Sequence, residues 1–273
     1  MITATAAARL LSYTMLGCTV VQAHAFCKAP SLGAFVGVEH SQWREWDATG
    51  RRLVHESGNL RRAGLELAAQ CEWLDWQLQW SQSQGNRAYD GVTNRYSALN
   101  TSSDIRSQTF GAQLWLPLNN AWAAGAEFNW RDIQRHIANQ GNVLGYPEQF
   151  RYGQAGLGLR YQTALSPSIR LATKLIVGGG RGGTNRIALP GFDARTLPLG
   201  DQRYASLGVE LFGGQADVQP GLSWKLALQY RSEKHDAGQA RALYRNGIAT
   251  GSAMQPRFTQ TSLGADMMLT YRF

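Results

Sequence analysis

Residues 262–273 read SLGADMMLTYRF, and this stretch decides the fold because two classes of side chain alternate along it. One set of alternate positions is apolar: Leu263, Ala265, Met267, Leu269, Tyr271 and Phe273. The positions between them are mostly polar: Ser262, Gly264, Asp266, Met268, Thr270 and Arg272. Successive side chains of a β-strand point to opposite faces, so the pattern predicts a strand with one apolar face.

The same stretch resembles the C-terminal strand of Gram-negative outer-membrane β-barrel proteins. In that group the barrel assembly machinery recognises the terminal phenylalanine and the aromatic residue two positions before it. The resemblance implies that Tyr271 and Phe273 form an assembly signal and that the assembly machinery is a partner. It also implies an integral protein of the Gram-negative outer membrane.

Four other segments alternate in the same way, at 74–81, 122–131, 154–162 and 222–231. A lipid-exposed strand needs about 9–11 residues with apolar side chains on every second position. A soluble sandwich also alternates, but it has no reason to place tryptophan at both ends of the apolar face. The aromatic residues at the segment ends therefore predict two interfacial girdles. They are Trp76, Trp80, Trp122, Trp130, Trp224 and Tyr230.

The composition excludes two other classes of protein. Of the 273 residues, 44% are hydrophobic, 10% aromatic and 17% charged, and 30 are glycine. No stretch after residue 25 approaches the ~18 consecutive apolar residues of a membrane-spanning helix. A disordered chain would be poor in aromatic residues. We therefore predict an all-β fold, a transmembrane antiparallel up-and-down β-barrel.

Counting the alternating segments predicts about ten strands, and eight or twelve remain compatible with the pattern. The predicted strands lie near 33–46, 52–70, 73–84, 106–117, 122–135, 150–163, 168–180, 202–212, 221–235 and 259–273. Short turns alternate with longer loops near 84–105, 136–149, 181–201 and 236–258. Short turns belong to the periplasmic side of such barrels, so we expect both termini in the periplasm.

The N-terminal segment reads as a secretory signal. A lone Arg9 precedes an apolar run, and residues 23–25 form a small-x-small cleavage site. We therefore divide the chain into a cleaved signal peptide, 1–25, and a barrel domain, 26–273. A lipoprotein signal ending at Cys18 is the alternative.

Two cysteines follow the predicted cleavage site, Cys27 and Cys71. The predicted topology places Cys27 just before the first strand and Cys71 in the turn after the second. Both would lie in the periplasm, which oxidises thiols, so we predict a structural disulfide between them. Two free thiols too far apart to bond are the alternative.

Alternation also predicts which charged side chains fill the barrel. The inward set comprises Asp75, Glu127, Arg131, Arg160, Lys174, Lys225, Arg231 and Glu233. Acids and bases nearly balance, and buried charges must pair because an isolated one is costly. The set predicts either a salt-bridged network that closes the lumen or the lining of a narrow ion-selective channel.

The net charge of +8 concentrates in the predicted loops and strand tips. Guanidinium groups bind phosphate or carboxylate in bidentate fashion, which makes these arginines candidate ligand-binding residues. The candidates are Arg87, Arg95, Arg106, Arg186, Arg195, Arg241 and Arg245. Expected partners are outer-membrane lipid and the phosphates of lipopolysaccharide, or an anionic surface ligand. Nucleic acid is not expected at the cell surface.

In size and topology a barrel of about ten strands resembles the omptin surface proteases. That family activates water with an aspartate pair and an Asp–His pair at the barrel rim. Here no Asp-x-Asp lies on the third predicted strand and no Asp-x-His on the later ones. A rim hydrolase would have to use residues such as Asp104 and His235. The histidines have no zinc-ligand spacing, and we expect neither a metal nor a cofactor.

Three functions follow from these observations. The first is a closed, non-enzymatic barrel that presents basic extracellular loops for ligand binding or adhesion. The second is a small porin or channel for ions or small solutes. The third, a rim hydrolase acting as protease or lipase, rests on size alone, since fold does not carry function with it.

Overall fold

The computed structural model describes residues 27–92, 97–214 and 221–273, so the predicted signal peptide and its cleavage site lie outside the described residues. The strands are β1 (Ser31–Trp46), β2 (Arg52–Gln70), β3 (Asp75–Val92), β4 (Ala98–Pro117), β5 (Trp122–Ile137), β6 (Pro147–Ser166), β7 (Ile169–Gly180), β8 (Thr184–Ile187), β9 (Arg195–Pro198), β10 (Gln202–Gly214), β11 (Gly221–His235), β12 (Arg241–Arg245), β13 (Ile248–Ala253) and β14 (Arg257–Arg272). Among the described residues, no helix is long and apolar enough to cross a membrane.

Ten of these strands form one closed antiparallel ring. The order around the ring is β1, β2, β3, β4, β5, β6, β7, β10, β11 and β14, and β14 pairs with β1 to close it. Ser31 lies opposite Arg272 in that closing pair, so the first and last strands meet at one end of the barrel. The predicted ten-stranded up-and-down barrel is confirmed. We call the end that holds both chain ends the termini end, and the opposite end the loop end.

The strands carry a band of apolar side chains on the outside of the barrel. Exposed outward residues include Val36, Val38, Leu65, Leu78, Phe110, Leu114, Phe128, Leu157, Leu159, Val177, Leu207, Leu228, Leu263 and Met267. Trp122 and Trp130 on β5 are also exposed, at 44% and 42%. Exposed apolar side chains around a whole ring are explained by a lipid surrounding, because water would not stabilise them.

Toward the loop end the polarity of the strands inverts. The strands extend beyond the apolar band, and there the inward side chains form an apolar cluster. Its members are Trp43, Val54, Leu60, Tyr89, Leu99, Ile105, Ile133, Ile137, Phe150, Tyr152, Leu199 and Phe258. The outward side chains at this level are polar. The upper part of the barrel therefore packs like a water-soluble β-barrel, with its core inside.

At the termini end, Cys27 and Cys71 form the predicted disulfide. The backbone N–H of Lys28 donates to the carbonyl of Gln70 at 2.7 Å, so the segment before β1 is held against the β2–β3 turn. These contacts anchor the start of the barrel domain.

Three regions that were predicted as loops contain strands. β3 continues to Val92, so residues 85–92 are ladder and not loop. The predicted loop 181–201 contains β8 and β9, which extend the sheet from β6. The predicted loop 236–258 contains the β12–β13 hairpin. In the first case Asp90 and Gly91 were read as turn residues, whereas in the structure they lie within β3 and pair with β2 and β4.

Candidate functional site: a sealed lumen and its loop-end surface

The lower part of the lumen, toward the termini end, holds four ion pairs between neighbouring and distant strands. Lys225 on β11 donates to both oxygens of Glu66 on β2, at 2.9 and 2.7 Å. Lys174 on β7 donates to Glu210 on β10 at 2.9 Å. The other two pairs are Arg160–Asp75 and Arg62–Asp266. Each pair neutralises charges that burial would otherwise penalise.

The middle of the lumen centres on two carboxylates. Glu233 on β11 is 1% exposed and accepts hydrogen bonds from Arg131, Arg231, Tyr152 and Gln154. Glu127 on β5 accepts from Arg231 at 3.1 Å and from the hydroxyl of Tyr204 at 3.1 Å. Arg231 thus bridges both carboxylates and links β5 to β11 across the barrel.

Gly178 leaves room for the Tyr204 ring in this layer. A Cβ atom on Gly178 would lie 2.7 Å from the Tyr204 ring, closer than side chains tolerate. Gly178 therefore lets the Tyr204 ring approach the backbone of β7, and the Arg231 guanidinium lies 4.0 Å from the ring centroid.

The upper layer, nearest the loop end, is the most enclosed. The Arg135 guanidinium bonds to Glu148, to Glu45 at 2.8 Å and to Glu56 at 3.3 Å. Arg87 also contacts Glu56, at 3.5 Å. The side chains of Arg135 and Glu56 are 2% and 0% exposed. Two guanidinium groups and three carboxylates are thus closed off from water in one cluster.

Aromatic rings cover this cluster. Trp43 stacks on Phe258 with centroids 4.1 Å apart, and His235 stacks on the same phenylalanine at 4.0 Å. Phe150 packs against both Trp43 and Phe258. Arg135 lies 5.0 Å from the Trp43 ring centroid. Ionic and aromatic layers together fill the upper lumen.

The spaces left inside the barrel are small. Among the described residues, cavities of about 70 and 60 Å³ lie between the ionic layers, and one of about 170 Å³ lies below them near the termini end. A wider vestibule of about 500 Å³ opens at the termini end beside Cys71 and Arg170. The lumen is thus open at the termini end and filled by side chains toward the loop end.

All eight side chains predicted to fill the lumen point inward and take part in these ion pairs. Sequence reasoning missed the apolar half of the site. Trp43, Phe150 and Phe258 share the inward parity of their strands, and that parity was the available signal. It was overlooked because a membrane barrel was expected to carry polar residues on its inner face throughout.

The predicted ligand-binding arginines that lie in the described part of the chain do not form one site. The prediction that Arg87 contacts an external ligand is wrong. Arg87 is 1% exposed, lies inside the barrel on β3 and donates to Ser41 at 2.6 Å. It cannot contact an external ligand, because β3 extends beyond the predicted loop boundary and turns this residue inward. Arg95 lies outside the described residues. Arg106 is exposed on the outer face of β4 and belongs to a strand, not to a loop.

The other predicted arginines surround two docked hairpins at the loop end. Arg186 is exposed on β8 and Arg241 on β12. Arg195 lies 5.1 Å from the Tyr244 ring centroid, and Arg245 donates to the carbonyl of Gly191 at 2.9 Å. The segment between β8 and β9 is thereby fastened to the β12–β13 hairpin.

Asp193 makes that connection rigid. The β12–β13 turn is Asn246-Gly247, whose φ angles of 51° and 78° are those of a type I′ hairpin turn. The Asp193 carboxylate accepts hydrogen bonds from both turn amides, at 3.3 and 3.0 Å. The loop end is therefore an ordered platform in this region.

A second carboxylate orders the short β1–β2 turn. Asp47 accepts hydrogen bonds from the Thr49 hydroxyl at 2.7 Å and from the Arg51 amide at 2.9 Å. The hydrogen bond from Thr49 lowers the pKa of the Asp47 carboxyl below its ordinary value.

The two residues that a rim hydrolase would need point to opposite faces of the barrel wall. Asp104 is exposed on the outer face of β4, whereas His235 is buried inside the barrel against Phe258. The structure does not bring this acid and this base together. Within the described part of the chain, no group of three or more His, Cys, Asp or Glu side chains could hold a metal ion.

No protein-family model and no curated protein matches the sequence. Solved structures do match the fold. The outer-membrane protease OmpT from Escherichia coli aligns with a TM-score of 0.54 and 12% identity, over 89% of this chain and 97% of that one. The translocator domain of the autotransporter NalP from Neisseria meningitidis aligns over 99% and 96%, with a TM-score of 0.42 and 10% identity. Neisserial surface protein A has a TM-score of 0.36 and 8% identity, over 90% and 99%.

Of these three alignments, the one with OmpT supports a common architecture. Its 12% identity is too low to assign the activity of OmpT to this chain. The closed ring, the outward apolar band and this likeness together define the class. The chain is a transmembrane β-barrel of the outer-membrane type.

Proposed function

We propose that this chain is a non-conducting outer-membrane barrel that binds an anionic ligand at its loop end, which faces the outside of the cell. One observation carries the proposal: among the described residues, aromatic and ionic side chains pack across the upper lumen from one wall to the other. Trp43, Phe150 and Phe258 meet across the barrel directly beside the buried Arg135 cluster. A conducting pore of this strand number would need that space filled with water.

The basic surface supports the second half of the proposal. Arg181 and Arg241 are exposed at the loop end, and neither has an ion-pair partner among the described residues. Unpaired guanidinium groups on an ordered platform favour phosphate, sulfate or carboxylate groups. A surface polysaccharide or an acidic glycan of a host cell is the chemical class that fits.

The proposal includes how the chain reaches its membrane. Tyr271 and Phe273 are exposed side by side at the termini end, with ring centroids 5.3 Å apart. We propose that they are read by the barrel assembly machinery, after a signal peptide at 1–25 has directed export. This orientation leaves both termini in the periplasm.

The first test is single-channel conductance of the refolded chain in a planar bilayer, with heat-shifted gel migration as the proof of folding. The proposal expects a folded protein that is silent. Discrete, reproducible conductance steps would overturn it and favour the channel.

Ligand binding needs a separate test with defined probes. We expect the barrel in detergent micelles to bind dextran sulfate and not neutral dextran. The double variant Arg181→Gln/Arg241→Gln should weaken binding by about tenfold, the scale of two partly solvated charge contacts. Arg181→Lys/Arg241→Lys keeps the charge and serves as the matched control. Equal binding of both dextrans would contradict the proposal.

A further inference from the structure

A continuous row of arginine and glutamine side chains crosses six adjacent strands on the outer wall of the barrel. In order, the row is Arg61, Gln84, Arg106, Gln134, Gln149 and Arg186, on β2, β3, β4, β5, β6 and β8. Each member lies directly opposite the next in the strand register. We call this row the Arg/Gln ladder. It joins residues that are 125 positions apart in the chain, counting from 61 to 186.

The ladder lies just beyond the apolar band. Four residues nearer the termini end, the first four of these strands carry a second row in register: Leu65, Trp80, Phe110 and Trp130. Four residues of strand correspond to about 13 Å. With the tilt of barrel strands, this separates the two rows by roughly 10 Å in height. The ladder is therefore placed at the level of lipid headgroups.

The ladder also lines a groove and is not spread over a convex wall. All six members line a groove of about 930 Å³, and Ile187, Ala188 and Ala194 contribute apolar surface to it. A headgroup could enter it sideways from the surrounding leaflet. The groove is open to the surrounding leaflet along its length.

The charge of the groove is uncompensated. Arg61, Arg106 and Arg186 have no ion-pair partner within residues 27–92, 97–214 and 221–273, and Asp104 is the one acid among the outward side chains lining the groove. The nearby Asp132 is paired with Arg151 at 2.8 Å and also accepts from the amide of Gln149, at 3.0 Å on each oxygen. Three guanidinium groups against one carboxylate leave an attraction for anions.

The order of side chains indicates what kind of anion fits. Arginine forks bind phosphate in bidentate fashion, and glutamine amides both donate to and accept from hydroxyl groups. Strand spacing places Arg61 and Arg106 about 10 Å apart and Arg106 and Arg186 about 14 Å apart at their backbones. Phosphate-binding groups at sugar-length intervals, with amides between them, match a phosphorylated saccharide.

We propose that the Arg/Gln ladder binds the phosphorylated sugar headgroup of an outer-leaflet glycolipid, from the side of the barrel. This inference goes beyond polyanion binding at the loop end and uses none of its residues. It shares with the proposed function the orientation of the loop end toward the outer leaflet. Arg106 and Arg186 hold phosphate groups, Arg61 extends the site, and Gln84 and Gln134 contact sugar hydroxyls. The amide nitrogen of Gln149 donates to Asp132, so this residue offers the site its carbonyl oxygen.

The experiment measures lipid binding to the refolded full chain in detergent micelles by native mass spectrometry. The probes are hexa-acylated lipid A with two, one or no phosphate groups, and inorganic phosphate as the free anion. We expect affinity to fall as phosphates are removed. Arg61→Gln/Arg106→Gln/Arg186→Gln should lose at least about tenfold in affinity for the bisphosphorylated lipid.

The opposite wall offers a matched control. Arg44, Arg203 and Arg257 are exposed on β1, β10 and β14, so Arg44→Gln/Arg203→Gln/Arg257→Gln makes the same change of charge away from the ladder. This variant should bind the lipid as the unmodified chain does. If the ladder triple variant does not fold, the single variant Arg106→Gln tests the same site, with a smaller expected loss.

Three outcomes would overturn the inference. They are equal losses in the two triple variants, equal binding of the dephosphorylated lipid, and displacement of the lipid by millimolar inorganic phosphate. Each would leave dextran sulfate binding and the silent bilayer unaffected. Failure of the ladder is therefore distinguishable from failure of the proposed function.

Discussion

Arg135 on β5 and Glu148 on β6 are direct cross-strand partners, and their ion pair is buried inside the barrel with side chains 2% and 5% exposed. Glu148 is one residue from Gln149, which belongs to the outward ladder. Adjacent residues of one strand thus serve the sealed interior and the outer groove, because successive side chains alternate between the two faces.

Replacing Arg135 by methionine should destabilise the barrel strongly. The substitution leaves Glu45, Glu56 and Glu148 without their shared cation, and breaking a buried pair of this kind costs about 3–5 kcal/mol. Equilibrium urea unfolding in lipid vesicles would measure the loss. Arg151→Met is the matched control, because its pair with Asp132 is half exposed and should contribute less than about 1 kcal/mol. Equal losses would show that the upper cluster is not dry.

His235 is buried in the upper lumen and stacks on Phe258. Neither of its ring nitrogens has a hydrogen-bond partner among the described residues, and Nε2 lies 3.6 Å from Glu233. His235→Phe keeps the stacking on Phe258 and removes two unsatisfied polar atoms, so the free energy of unfolding should stay the same or rise by about 1 kcal/mol. His235→Ala should lose about 2–4 kcal/mol through the cavity. A loss of the same size in both variants would argue against this role.

The Cys27–Cys71 disulfide should stabilise the barrel by constraining the unfolded chain. The two cysteines are 44 residues apart, and a loop of this length corresponds to roughly 2–4 kcal/mol. Reductant should lower the unfolding midpoint of the unmodified chain to that of Cys27→Ser/Cys71→Ser. The double variant should not respond to reductant. Alkylation of both thiols without prior reduction, seen by mass spectrometry, would exclude the bond.

Asp193→Ala should loosen the loop-end platform without affecting the barrel. The substitution removes the acceptor of both turn amides at Asn246 and Gly247, so the turn of the β12–β13 hairpin should open from the β8–β9 segment more often. Limited trypsin digestion should then cut after Arg245 at least about tenfold faster, since proteolysis follows local opening. Asp193→Asn retains an acceptor oxygen and should be cut at an intermediate rate. Unchanged digestion of the alanine variant would mean that other contacts hold the hairpin.

The sequence by itself determined the class of fold and most of the strands. Alternation along 262–273 and four similar segments fixed the period of two, the lipid-facing side and a count of about ten strands. Alternation also placed the eight predicted lumen residues on the inner face. The period and the inner face are local properties, because parity along one strand needs no knowledge of its neighbours. The Cys27–Cys71 disulfide followed from the predicted order of the strands and turns.

The tertiary structure decided what depends on register and on strand length. Arg87 was predicted as a surface ligand because glycine, asparagine and aspartate around it resemble a loop, yet pairing of β3 with β2 and β4 carries the ladder past it and turns it inward. The apolar cluster around Trp43 could be predicted only with the knowledge that the strands extend beyond the apolar band. The Arg/Gln ladder could not be read from any one segment, since each strand contributes one residue and only the pairing aligns them.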